Sequence, residues 1–451
     1  MLSIRSQAGS GRRPRRPWML LLGMLLLLSA AKVFSQTAAE VPPVEEAPGV
    51  ENTPLPNPQP QANLPTLFPD EAVFEGAAPK ERAWKFLFSA SAAATVTDNL
   101  FIQAREKESD FSISLSPKIG VGRGEIVQEA IQSFGFTTRP GLRIEEERAS
   151  YFFASYAPRQ TWYLDHPDEN SLEHDAALVG VLWKGKLKLG IETRFQTLSG
   201  PDIDVGSRTD RSLFTGEVVA AYELTGKIGI EAGFRSEIVE YQDAFSSSRN
   251  WTNQDYLTYQ ISPKVRVGLG VGLGYLESEN GAAQVYEQAL TRVQFQASEK
   301  LSFTGVLGAE ARQISGGDET VEPIFTLGVI YRPRERTSLI LEARRQTYSS
   351  GSRANENNTV TAVSTEVRQQ VFQRIDLALA AGVSTSDYQA YSGENDVERE
   401  DTLVYVRPSL GLSVTRFSRC ELSYEFRDND SSLEAVSFSE NVASLELKLL
   451  F

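Results

Sequence analysis

The feature that most limits what this chain can become is an alternation of period two that recurs, segment after segment, from Trp84 onward. In "KVRVGLGVGLGYLESEN", Lys264 to Asn280, one parity carries Val265, Val267, Leu269, Val271, Leu273 and Tyr275. The other carries Lys264, Arg266, Gly268, Gly270, Gly272 and Gly274. "KLKLGIETRFQ", "KIGIEAGFRSE" and "YVRPSLGLSVT" repeat the arrangement. Successive side chains point to opposite faces only along a strand, so each segment is expected to be a strand with one apolar and one polar face. Past the N-terminus no uninterrupted apolar run approaches the ~20 residues that a spanning helix needs.

Two architectures accept many such strands. A soluble sandwich turns the apolar faces inward, whereas a transmembrane barrel turns them toward lipid and lines its lumen with the polar parity. Three features favour the barrel. The pattern is uniform, with neither the helices nor the fully apolar strands expected inside a large soluble domain. Aromatic residues (Trp84, Trp183, Tyr222, Tyr275, Tyr331, Phe417) fall near strand ends, where interfacial girdles belong. The last segment, "SLELKLLF", places Leu445, Leu447, Leu449 and Phe451 on one parity with Ser444, Glu446 and Lys448 opposite. It resembles the terminal-strand signal that outer-membrane barrels present to the barrel-assembly machinery, which is expected as a partner beside outer-membrane lipid and lipopolysaccharide.

Short polar connections at Lys184, Gly226, Pro263, Glu299, Pro333, Gln373 and Ser418 read as tight turns, as does "SPKI" at Pro117, with longer acidic loops on the opposite rim. They give an all-β, antiparallel up-and-down barrel of about 18 strands, or about 20 if Pro158 in "YAPRQ" also marks a turn. In the bilayer such a sheet must close, because an open edge leaves backbone groups without partners. The segment 124–147 fits no part of the pattern.

The N-terminus has the layout of a secretory signal: basic "RRPRRPW", apolar "MLLLGMLLLLSA", then "KVFS", with cleavage expected before Gln36. Residues 36–83 hold nearly half of the 21 prolines and no hydrophobic periodicity, as expected of a periplasmic linker. The barrel is then assigned to 84–451. Cys420 is the only cysteine, so no internal disulfide can hold the fold. The net charge of −14 comes without a basic patch, which argues against nucleic acid.

If the polar parity faces inward, the lumen receives Lys186, Lys188, Arg194, Lys227, Arg235, Lys264, Arg266, Arg312, Arg344, Arg368 and Arg407, together with fewer acids such as Glu192, Glu231, Glu310 and Glu366. A mildly positive passage would favour anionic solutes. Pairs such as Glu310 with Arg312 and Glu366 with Arg368 also fit a simpler role, neutralising neighbours across strands. The glycine stripe of 268–274 either widens the pore or admits curvature or a close-packed loop. His166 and His174, the only histidines, lie among acids at a spacing that matches no metal site, so no catalytic residue, metal or cofactor is expected.

"ATVTDNLFI", "ESDFSISLSPKIGVG", "YFFASYAPRQTWYLDHPDENSLEHD", "YQISPKVRVGLGVG" and the closing "VASLELKLLF" together resemble the second β-barrel porin family of Gram-negative outer membranes. The resemblance spans 84–451. It implies an exopolysaccharide-associated barrel with a polysaccharide substrate or a periplasmic export partner, and it carries over no catalytic residues. A non-conducting structural or adhesive barrel is the alternative, and an outer-membrane hydrolase a distant third.

Overall fold

A computed structural model describes residues 84–124, 150–242, 245–279, 281–315, 319–391 and 399–450. The signal and linker segments, the body of the 124–147 segment and Phe451 lie outside the described residues.

The described chain forms one closed antiparallel sheet of 18 strands. The first six are β1 (Lys85–Thr97), β2 (Asp110–Arg123), β3 (Tyr151–Tyr163), β4 (Ser171–Lys184), β5 (Leu187–Asp202) and β6 (Ser207–Glu223). There follow β7 (Ile228–Tyr241), β8 (Ser248–Ser262), β9 (Val265–Ser278), β10 (Gln284–Ser298), β11 (Leu301–Ile314) and β12 (Glu319–Arg334). The circuit is completed by β13 (Thr337–Ser349), β14 (Glu356–Phe372), β15 (Ile375–Ala390), β16 (Arg399–Thr415), β17 (Ser418–Ser431) and β18 (Phe438–Leu450). Each strand pairs with its sequence neighbours, and β18 pairs with β1, from Ser89 opposite Leu450 to Thr97 opposite Val442.

The apolar parity faces out. On β9, Leu269 is 67% exposed and Leu273 57%, while Gly272, Gly274 and Leu276 between and beyond them are buried. A water-soluble protein would not present this on strand after strand, so the exterior is a lipid-facing belt. Closure satisfies the backbone within it. Trp84, Tyr222, Tyr275, Tyr331 and Phe417 stand exposed near strand ends as the girdle pattern requires. Trp183 differs: it lies half-buried on the inner parity, with the Lys188 ammonium 5.3 Å from its ring.

Two of the expected turns are not turns. Pro117 lies inside β2 and Pro158 inside β3, which sets the count at 18 rather than 20. The β1 ladder runs unbroken through Pro117 and the β4 ladder through Pro158. Each proline therefore turns its nitrogen, which has no hydrogen, toward the other. Between β2 and β3 the pairing stops at Leu115 opposite Gln160 and resumes at Ile119 opposite Tyr156. Ser116 Oγ donates to the Pro158 carbonyl at 3.0 Å, replacing part of what the ladder loses.

Candidate functional site

The interior is a wall of polar side chains laid across several strands, and the glycines of β9 make room for it. Register places Gly274, Gly272, Gly270 and Gly268 directly opposite Tyr286, Gln288, Leu290 and Arg292 of β10. A Cβ on Gly274 would lie 1.9 Å from Tyr286 Cζ, one on Gly270 2.5 Å from Tyr256 Cδ1, and one on Gly272 2.5 Å from Gln288 Oε1. The stripe is thus a shelf on which large residues from both neighbouring strands lie flat.

Over this shelf Arg292 spans three strands. Its guanidinium carbon sits 3.6 Å from the Tyr256 ring centre on β8, and Nη1 donates to Glu231 Oε1 on β7 at 2.7 Å. Tyr286 donates to Asn250 at 2.7 Å and shares a 2.5 Å hydrogen bond with Thr252, with Arg312 stacked 4.5 Å above its ring. A chain of bonds runs from Gln254 to Gln288 (2.7 Å), Gln288 to Glu310 (2.8 Å), Arg312 to Glu310 (2.6 Å), Arg312 to Gln284 (2.9 Å) and Gln284 to Asn357 (2.9 Å). Beside it lies an open pocket of about 60 Å³, lined by Gln254, Gln288, Glu310, Arg312, Tyr286 and Arg292 and by Glu217, Arg235, Glu237, Gln346 and Thr347.

Of the residues singled out from sequence, Lys188, Arg194, Arg235, Arg266, Arg312, Arg344, Arg368 and Arg407 lie within strands and are buried or half-buried. Arg194 grips Asp175 with two bonds of 2.9 and 2.7 Å, Arg235 stands 3.6 Å from Glu237, and Arg368 pairs with Glu366. Arg266 donates to Gln260 at 2.7 Å. Lys186, Lys227 and Lys264 are elsewhere, exposed in turns rather than on the strand wall. Leu445, Leu447 and Leu449 all face outward, 49%, 44% and 36% exposed.

Those turns share a property that counting wall charges hides. Exposed Lys184 and Lys186, Lys227, Lys264, Lys300, Arg334 and Arg336, Arg374, and Arg416 place a cation on every described turn of this rim, against Glu299 and Glu335. Acids dominate the exposed loop rim: Glu106, Glu108, Asp165, Asp168, Glu277, Glu279, Glu319, Glu400, Asp430 and Glu434, against Arg105, Lys107, Arg249 and Arg353.

The loop rim is also crossed from within. Asp202, Ile203 and Asp204 at the tip of the β5–β6 hairpin are buried. Arg399 of β16, ten strands along the circuit from β6, donates to the Ile203 and Asp204 carbonyls at 3.0 and 2.7 Å. Asp204 accepts from Ser350 Oγ at 3.0 Å and from the Gly351 amide at 2.5 Å. Burial and the neighbouring Asp202 push its carboxyl up to about 6. Ile203 packs with Ile102, Leu403 and Phe438 in a small apolar cluster. Gly206 closes the tip at φ 77°, where a Cβ would also meet Val436 Cγ1 at 2.4 Å. None of these tip contacts has a local sequence signal.

The histidines do not converge. His166 lies between Asp110 and Glu108, each 2.7 Å away, and these bonds raise its pKa above 6.5. His174 bonds Tyr156 at 2.8 Å. Among the described residues no cluster of three potential ligands could hold a metal ion.

Closed sheet, lipid-facing belt and polar interior define the class: an integral β-barrel of the outer membrane. No family model and no curated protein matches the chain. Among solved structures it is similar to the outer membrane protein opdK from Pseudomonas aeruginosa, at 12% identity and TM-score 0.40, covering 81% of this chain and 99% of that one. It is also similar to OccK2 (OpdF) of the same organism in complex with glucuronate, at 13% identity and TM-score 0.42, covering 81% and 98%. A third is a bacterial polysaccharide outer membrane secretin, at 8% identity and TM-score 0.33, covering 81% and 98%. Likeness at this level says nothing of cargo.

Proposed function

We propose that this barrel is a porin-like channel through the outer membrane, and that its finer role is the passage or export of exopolysaccharide or other polar chains. The observation that carries the reading is the hydrogen-bonding wall from Gln254 through Gln288 and Glu310 to Arg312 beside open space. Amides, tyrosine hydroxyls and paired charges offer both donors and acceptors, the chemistry that exchanges with hydroxyl groups or water. Pairing of Arg292 with Glu231, Arg312 with Glu310 and Arg194 with Asp175 leaves less net wall charge than a count of cations suggests. Hydroxylated chains therefore suit this wall better than small anions in general.

Single-channel recording of the refolded protein in planar bilayers tests the reading. Discrete conductance steps are expected, reduced by added neutral oligosaccharide and only weakly selective between anions and cations. A protein that inserts but never conducts would favour the second reading, a non-conducting structural or adhesive barrel. The hairpin tip crossing the loop rim is the specific observation on that side.

A further inference from the structure

We propose that the turn rim is a capture surface for a polyanionic chain, an inference that rests on the channel reading and adds a direction to it. Charge is segregated along the barrel axis: the turns expose cations such as Lys186, Lys227, Lys264 and Lys300, while acids dominate the loop rim. The segregation does not follow from overall composition, since the chain has net charge −14. Successive turns are two strands apart, about 10 Å at the usual strand spacing. That distance is close to the Debye length of about 8 Å at physiological ionic strength, so the described turns from β4–β5 to β16–β17 contribute to one arc of positive potential.

An arc of this kind does little for a small ion, which each exposed lysine attracts weakly. A polymer that touches several turns at once gains from each and releases counterions, so its binding rises steeply with the number of contacts. Short turns of outer-membrane barrels face the periplasm and the loops face outward. A polyanion is thus concentrated at the periplasmic entrance and repelled at the external mouth. The wall between, where Arg194, Arg292 and Arg312 are paired with acids, would hold it at neither end. The occupant that fits is a flexible acidic chain, such as a polysaccharide bearing carboxylate or sulfate groups.

The test is sided block of single channels in zwitterionic phosphatidylcholine bilayers. Orientation is fixed by a biotin placed through Glu434→Cys on the loop rim, in a Cys420→Ala background. Dextran sulfate is expected to block from the turn rim at concentrations about tenfold lower than from the loop rim, with the contrast shrinking as salt rises. Neutral dextran of equal length is expected to show no such contrast. Replacing Lys186, Lys227, Lys264 and Lys300 together by glutamine should remove most of the sidedness while leaving open-channel conductance intact. Equal block from both rims, or sidedness unchanged in the quadruple variant, overturns capture while leaving the channel in place.

A surface that serves anionic headgroups instead would show a different pattern. The variant would then insert less well than the parent into phosphatidylglycerol vesicles, with no sided polymer block in either, and the proposal would be wrong. Should no form conduct, the channel reading falls. The rim is then read directly, by dextran sulfate binding to detergent-solubilised parent and variant; equal binding by the two overturns it.

Discussion

Gly274→Ala should cost the barrel about 2 kcal/mol, far more than the same change at Gly268. The two glycines share a strand and a face, but a Cβ at Gly274 would lie 1.9 Å from Tyr286 Cζ, whereas at Gly268 its nearest neighbour is Thr258 Cγ2 at 3.5 Å. Ordinary contact is retained at one site and the ring must leave at the other. Tyr286 then gives up its bonds to Asn250 and Thr252, about 1 kcal/mol each. It also gives up the stack with Arg312, worth about 0.5–1 kcal/mol. Loss of glycine flexibility in the unfolded chain returns about 0.4–1 kcal/mol. The net at Gly274 is a loss of about 2 kcal/mol, and at Gly268 a gain of about 0.4–1 kcal/mol. Reversible guanidinium unfolding in detergent, followed by tryptophan fluorescence, measures both. The displaced ring should also project into the lumen and lower the conductance of Gly274→Ala alone. Equal stability and equal conductance of the two variants would refute the shelf, and with it the idea that β9 makes room for its neighbours.

Other outcomes follow from single contacts. Arg292→Met leaves Glu231 buried without its partner and should cost about 3–5 kcal/mol, most of it recovered by adding Glu231→Gln; the denaturation midpoints of the single and double variants decide this. Ser116→Ala removes the donor to the Pro158 carbonyl in the β2–β3 seam and should cost about 1 kcal/mol, read in the same unfolding assay. The His166 clamp to Asp110 and Glu108 has a raised pKa, so its contribution is complete below pH 6.5 and is lost as pH rises through the folded value. With only two histidines, a proton–carbon NMR titration resolves it, and His166 titrating at or below 6.5 would contradict the clamp.

Much of the architecture was legible because alternation along a strand is local. Parity gave the lipid-facing side of β9, and short polar turns gave most hairpins. Pro117 and Pro158 misled because proline is both a turn former and a residue tolerated where its missing hydrogen faces a gap; only the pairing of β2 with β3 separates the two. The wall was half legible. Charged residues announce themselves, but Gln254, Gln284, Gln288 and Asn357, which join them, look like any polar strand residue until register is known. A register carried through the β9–β10 turn would have set Tyr286, Gln288 and Arg292 against the glycines. The contact of Asp204 with Gly351 joins residues 147 apart in sequence and leaves no trace in either segment.

That long-range packing has a cost in the sheet itself, and the cost is localised. β12 and β13 pair from the turn only as far as Phe325 opposite Arg345, yet β12 continues to Glu319 on β11 and β13 to Ser349 on β14. The outer ends have parted, and Asn357 of β14 bonds Gln284 of β10 at 2.9 Å inside the split. Pro323 sits at its root. The β11 ladder is unbroken through Pro323, so its nitrogen faces β13, where continued register would call for a donor to Thr347. Sealing the seam would thus forgo a hydrogen bond that the inward contacts replace. Amides of β12 on the β13 side of the split should therefore exchange with solvent much faster than those of β11 at the same height. Pro323→Ala, by supplying the donor, should slow exchange at Thr347 and Ser349. Uniform protection across β11, β12 and β13 would mean that the sheet is sealed there and that proline has no part in where the mouth folds in.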